Sequence, residues 1–168
     1  MIIRFSFILV LFSLQLTDAR AQRFEIQARA YPSSWYNGWF EPAIDGGGLL
    51  VGYHPRLSNK LEMNINGEFS ILRARSELIL GLGFRHTIWQ SGRLSLTGEA
   101  NLLNGLGLFR PTPLWVGGGE LLARGGIRIG KRATLFLSAG ARYTACPGYR
   151  AHGPWRQNAW PIGIGIGW

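Results

Sequence analysis

Residues 60–71 read Lys60-Leu61-Glu62-Met63-Asn64-Ile65-Asn66-Gly67-Glu68-Phe69-Ser70-Ile71. From Leu61 onward every second residue is apolar or glycine: Leu61, Met63, Ile65, Gly67, Phe69 and Ile71. Between them stand Glu62, Asn64, Asn66, Glu68 and Ser70. Period two belongs to an extended strand, whose successive side chains leave on opposite faces. The stretch therefore makes one wall of a sheet with an oily side and a polar side.

Seven further segments repeat the pattern. Residues 23–31 set Phe24, Ile26, Ala28 and Ala30 against Arg23, Glu25, Gln27 and Arg29, and residues 46–53 place Leu49, Val51 and Tyr53 on one side. Residues 77–89 oppose Leu78, Leu80, Leu82, Phe84 and Ile88 to Glu77, Gly81, Gly83, Arg85 and Thr87. Residues 93–108 oppose Leu94, Leu96, Gly98, Ala100 and Leu102 to Ser95, Thr97, Glu99 and Asn101. Residues 115–129 oppose Gly117, Gly119, Leu121, Ala123, Gly125 and Ile127 to Glu120, Arg124 and Arg128. Residues 133–145 oppose Leu135, Leu137, Ala139, Ala141 and Tyr143 to Thr134, Ser138 and Arg142. The last segment, from 158 to the end, sets Trp160, Ile162, Ile164, Ile166 and Trp168 against Gly163, Gly165 and Gly167. Short connections (54–59, 90–92, 130–132) alternate with more varied ones (32–45, 72–76, 109–114, 147–157). Eight strands with short turns at one end and longer loops at the other predict an all-β, antiparallel, up-and-down transmembrane barrel.

A soluble sandwich also alternates, but its polar face meets water and usually carries Lys and Asp. Here the polar face carries Arg23, Glu25, Arg29, Glu62, Glu68, Glu77, Arg85, Glu99, Glu120, Arg124, Arg128 and Arg142, interleaved with glycine. Opposite charges in such proximity fit a confined interior, where an unpaired charge is costly, and arginine binds carboxylates in a fork that lysine lacks. We therefore expect a luminal charge network, with Gly81, Gly83, Gly163, Gly165 and Gly167 making room for the long arginines. On the apolar face, Tyr53, Trp89, Trp115, Tyr143, Trp160 and Trp168 recur near strand ends, as an interfacial girdle would.

The first residues have a different character. A short basic start (Met1 to Arg4), an apolar run (Phe5 to Leu16) and Ala19-Arg20-Ala21 follow the order of a cleaved secretory leader. We expect residues 1–21 to be removed and residues 22–168 to form a single domain. The apolar run is too short for a spanning helix, which needs ~20 residues. One cysteine, Cys146, cannot form an internal disulfide. No cofactor or metal motif appears.

The closing stretch Ala159-Trp160-Pro161-Ile162-Gly163-Ile164-Gly165-Ile166-Gly167-Trp168 resembles the final strand that outer-membrane barrels present to their assembly machinery, alternating and ending on an aromatic. With the leader, the chain resembles the small eight-stranded barrels: the OmpA membrane domain, OmpX and the generic outer-membrane barrel families of Bacteroidota. The resemblance implies a bacterial outer-membrane location with both termini periplasmic, contact with lipid and lipopolysaccharide, and insertion by the barrel assembly machinery through Trp160, Ile162, Ile164, Ile166 and Trp168. Pro161 departs from the usual strand, though proline is tolerated near a strand start.

The formal charge of +9 is no nucleic-acid signature, because the excess lies mainly in turns and loops. Arg56, Lys60, Lys131 and Arg132 fall at one end; Arg73, Arg75, Arg110, Arg150 and Arg156 fall at the other. Lipid A-modifying barrels use a histidine with a serine and a carboxylate. Here His54 reads as a turn residue, His86 faces lipid, and His152 has no serine in its loop, so no catalytic set is expected. A lipid A-modifying enzyme and a narrow pore are the remaining alternatives. The aromatic first loop, Tyr31 to Phe40, could anchor recognition or cap the barrel. Small residues on three consecutive strands (Gly98, Ala100, Gly117, Gly119, Ala123, Gly125, Ala139, Ala141) permit close approach of another protein surface. The leading expectation is a non-enzymatic structural or accessory subunit that docks a larger outer-membrane complex.

Overall fold

The computed structural model describes residues 22–32, 34–36, 39–41, 45–73, 75–108, 113–130, 132–148 and 155–168. The expected leader over 1–21 lies outside them, as do Arg110, Lys131, Arg150 and His152. Eleven strands follow in order: β1 (Gln22–Tyr31), β2 (Ser34–Tyr36), β3 (Trp39–Glu41), β4 (Gly46–Pro55), β5 (Leu61–Leu72), β6 (Ser76–Ser91), β7 (Leu94–Leu108), β8 (Pro113–Ile129), β9 (Ala133–Cys146), β10 (Trp155–Ala159) and β11 (Ile162–Gly167). No helix among them is long and apolar enough to cross a membrane; strands form the whole wall.

All pairings are antiparallel, and β11 bonds to β1 on one side and β9 on the other, so the sheet closes. β10 and β11 are two halves of one stave. Ala159 stands opposite Arg142 and Ile162 opposite Ala139, so register carries through Trp160-Pro161 without a slip. Pro161 has no N–H to give, which interrupts the ladder, yet its carbonyl still accepts from the Gly140 N–H at 3.2 Å. The result is an eight-stranded antiparallel barrel without an unpaired edge around its waist.

The segment expected as a plain first loop contains the β2–β3 hairpin, and β2 pairs with β10. The first hairpin therefore rises as sheet beyond the barrel's waist. At the opposite end the turns are tight, and Gly92 (φ 55°) and Gly130 (φ 66°) occupy the left-handed region that other residues rarely adopt. A bulge between Thr87 and Trp89 breaks the alternation of β6, so Ile88 and Trp89 both face outward.

The distribution of burial is inverted relative to a soluble protein. Leu80, Leu102 and Leu121 are 67 %, 75 % and 64 % exposed on the outer wall, while Gln27, Asn64 and Ser70 inside are fully buried. Such an outer surface suits lipid, and closure leaves no unpaired edge around the waist to meet it.

Candidate functional site

The lumen holds three layers of charge. In the middle layer Arg29 Nη1 donates to Glu68 (2.9 Å) and Glu120 (2.7 Å). Arg142, from the far side, donates through Nε to Glu120 at 2.8 Å and through both Nη atoms to Glu68 at 2.5 and 3.1 Å. The Tyr31 hydroxyl also donates to Glu68. Two arginines thus face two glutamates, and all four are 5 % exposed or less. In such a dry site each partner is held because its loss would strand the others' charge.

The layer toward the short turns centres on Glu25. Arg124 grips it with a two-pronged fork, both bonds 2.7 Å, and Arg85 Nη2 adds a third at 2.8 Å. Arg85 also donates to Glu99 at 2.6 Å. Gln27 joins this layer to the middle one, accepting from Arg29 and Arg124 and donating to Ser138. Toward the loops, Arg75 Nε donates to Glu77 at 2.5 Å and Nη2 donates to Gln157 at 2.7 Å; Gln157 in turn donates to Asp45 at 2.8 Å. The Arg75 guanidinium stacks 3.3 Å over the Trp155 ring. Together with inward Leu50, Ile79, Leu103 and Leu122, these layers fill the bore.

Several sequence expectations require correction. Arg23 and Arg128 are not enclosed: both are exposed at the open mouth, and Arg23 reaches Glu62 at 3.4 Å. His54 is no turn residue. It lies on β4, fully buried, with Nδ1 2.9 Å from Asn64 Oδ1 and Nε2 3.1 Å from Glu25. Arg75 is not a solvated loop cation but is 4 % exposed inside the lumen. The luminal glycines accommodate other neighbours than arginine. A Cβ at Gly163 would strike Gln27, one at Gly165 would strike the Phe136 ring, and one at Gly83 would strike the Ala100 backbone. A Cβ at Gly81 would make only ordinary contacts, with Leu103 and Asn66, and so would one at Gly167, with Phe24 and Glu25.

No histidine among the described residues heads a catalytic set. His54 is engaged by Asn64 and Glu25, and His86 points outward from β6. No group of His, Cys, Asp or Glu among the described residues is arranged to hold a metal ion. Cys146 is buried beside Val116 and Trp155.

On the outer wall the small-residue set divides. Ala100, Gly119 and Ala141 line a groove of about 910 Å³ together with Leu82, Phe84, Leu102, Leu121, Tyr143 and Trp160. Ala123, Gly125 and Ala139 lie exposed toward the short turns. Gly117 does not belong to this open face: it is buried beneath the Trp115 ring, which would lie 2.5 Å from any Cβ placed there. Gly98 is partly screened by the end of Ile88. The closing residues Trp160, Ile162, Ile164, Ile166 and Trp168 all point outward, between 40 % and 52 % exposed.

No known protein-family model matches the sequence, and no curated protein sequence does. Solved structures share the fold. Neisserial surface protein A superposes with a TM-score of 0.59 at 12% identity, over 87% of this chain and 96% of that one. The outer membrane protein OprG from Pseudomonas aeruginosa gives 0.52 at 10% identity, over 88% and 95%. The N-terminal β-barrel domain of OprF from the same bacterium gives 0.50 at 13%, over 87% and 97%. The fold is therefore that of the small outer-membrane β-barrels.

Proposed function

We propose that this protein is a non-enzymatic barrel of the bacterial outer membrane that acts as an accessory subunit, docking the wall of a larger outer-membrane protein through β7, β8 and β9. The carrying observation is that Gly119 and Gly125 on this face are not required by the barrel itself. A Cβ on Gly125 meets nothing within 4 Å, and one on Gly119 meets only the Asn101 carbonyl at an ordinary 3.6 Å. Inside the barrel, by contrast, Gly163 and Gly165 are demanded by Gln27 and Phe136. Smallness that internal packing does not demand answers to something outside the chain, and close approach of a second protein surface is what small residues permit in lipid. The groove lined by Ala100, Gly119 and Ala141 gives that surface a shape to enter, with aromatic residues as anchors. The filled lumen argues against a pore, and the engaged His54 against hydrolysis.

In this reading the short turns and both termini face the periplasm. The outward ladder of Trp160, Ile162, Ile164, Ile166 and Trp168 serves insertion by the assembly machinery, and the exposed arginines meet lipopolysaccharide or headgroup phosphates. The test is purification from native membranes in mild detergent, comparing the wild type with the double variant Gly119→Leu/Ala141→Leu. The wild type should migrate within a larger assembly and the variant as a lone barrel of unchanged thermal stability. A wild type that migrates only as a lone barrel sinks the proposal, and so does a variant that keeps its assembly.

A further inference from the structure

The short-turn mouth contains a cavity of about 370 Å³ that the sealed layers below do not explain. Its rim carries Arg23, Arg56, Arg128 and Arg132, and Arg93 lines a smaller recess beside it. Among the described residues only one acidic side chain serves this group. Glu62 is shared by Arg23 at 3.4 Å, Arg56 at 4.0 Å and, from beneath, Arg85 at 3.6 Å. Among the described residues no carboxylate lies within ion-pair distance of Arg128 or Arg132 (the ion pairs of this end all involve Glu25, Glu62 or Glu99). Acidic side chains at this end are buried, so the exposed charged side chains of the rim are all arginines.

The wall between rim and floor is lined with hydroxyls. Thr87 and Thr97 stand opposite each other across β6 and β7, and Thr134 stands opposite Arg128 across β8 and β9. Ser95 faces Gly126, where a Cβ would come within 2.8 Å of the serine oxygen and 3.1 Å of the Thr134 methyl. Gly126 therefore keeps open the space between two hydroxyl side chains and the arginines. On the floor, Arg124 Nε is buried without a hydrogen bond: Glu99 is 2.8 Å away but out of line. Forked guanidinium groups beside hydroxyl donors are the equipment that holds a tetrahedral, multiply charged oxyanion.

We propose that this vestibule binds phosphate groups, with Arg128 and Arg132 as the principal cationic contacts and Ser95, Thr97 and Thr134 as hydroxyl donors. The site is independent of the docking wall, which lies on the outer surface. A cavity of this size admits a small phosphate-bearing solute, and falls in the range of ordinary ligand pockets. A lipid headgroup at the mouth offers the same chemistry.

The experiment uses the full-length protein in zwitterionic phosphatidylcholine nanodiscs, titrated calorimetrically with inorganic pyrophosphate. A parallel arm measures retention of anionic phosphatidylglycerol by native mass spectrometry, from discs containing both lipids. Saturable pyrophosphate binding that weakens at least tenfold in Arg128→Gln/Arg132→Gln, and stays unchanged in Arg156→Gln at the opposite end, supports the proposal with a solute as ligand. Absent pyrophosphate binding, but phosphatidylglycerol retention lost in the double variant, supports it with a headgroup as source. If neither ligand binds, or if Arg156→Gln weakens binding equally, the vestibule is not a phosphate site.

Discussion

The middle of the lumen and its short-turn mouth are made from the same two residue types, balanced in the middle and weighted toward arginine at the mouth. In the middle, Arg29 and Arg142 meet Glu68 and Glu120, each cation touching both carboxylates. At the mouth, Arg23 and Arg56 crowd one shared carboxylate, Glu62, while Arg128 and Arg132 stand exposed beside it. The matched set is dry and mutually satisfied, so it seals. The unmatched set is open to solvent. Arginine content alone therefore says little about role; the local ratio of arginine to carboxylate, together with water access, separates structure from binding.

The contrast is broken most severely at its closed end. Arg142→Met strips Glu68 and Glu120 of their forked partner while leaving both carboxylates buried. We expect a loss of about 3–5 kcal/mol, read as a lowered urea midpoint for unfolding in detergent micelles; an unchanged midpoint would show the network to be dispensable. Next comes volume. Gly165→Leu drives a side chain into Phe136 and should cost about 1–3 kcal/mol. Gly125→Leu, on the open outer face, should stay within ~0.5 kcal/mol of wild type in the same assay. Equal effects at the two glycines would erase the distinction between packing demanded inside and space left free outside.

Much of this architecture is legible in the sequence because a strand has only two faces. Once residues 60–71 are assigned an oily side, parity decides where Glu62, Glu68 and every equivalent residue point. Parity also reaches His54, since Leu50, Gly52 and His54 share a side of β4; the adjacent Pro55 makes the residue look like a turn instead. The first hairpin has its own signal, Asn37-Gly38 between two aromatic pairs, a dipeptide typical of tight hairpins. Its aromatic density points equally to a recognition loop.

Other features depend on distance along the chain. Arg75 reads as a loop cation because its partner Gln157 and its stacking ring, Trp155, arrive some eighty residues later. Which glutamate meets which arginine depends on the stagger of strands around the barrel, and no single segment encodes it. Arg23 and Arg128 have the right parity for the interior but lie so near the strand ends that their face opens to water. Gly117 has outward parity, yet Trp115, two residues earlier on the same face, folds over it.

The central claim is that the paired layers close the lumen and leave the outer wall and the mouth as working surfaces. Planar-bilayer recording of the purified full-length protein tests it most directly. The wild type should show no steady conductance and Arg142→Met intermittent openings. A steady, ohmic current through the wild-type barrel would contradict the claim.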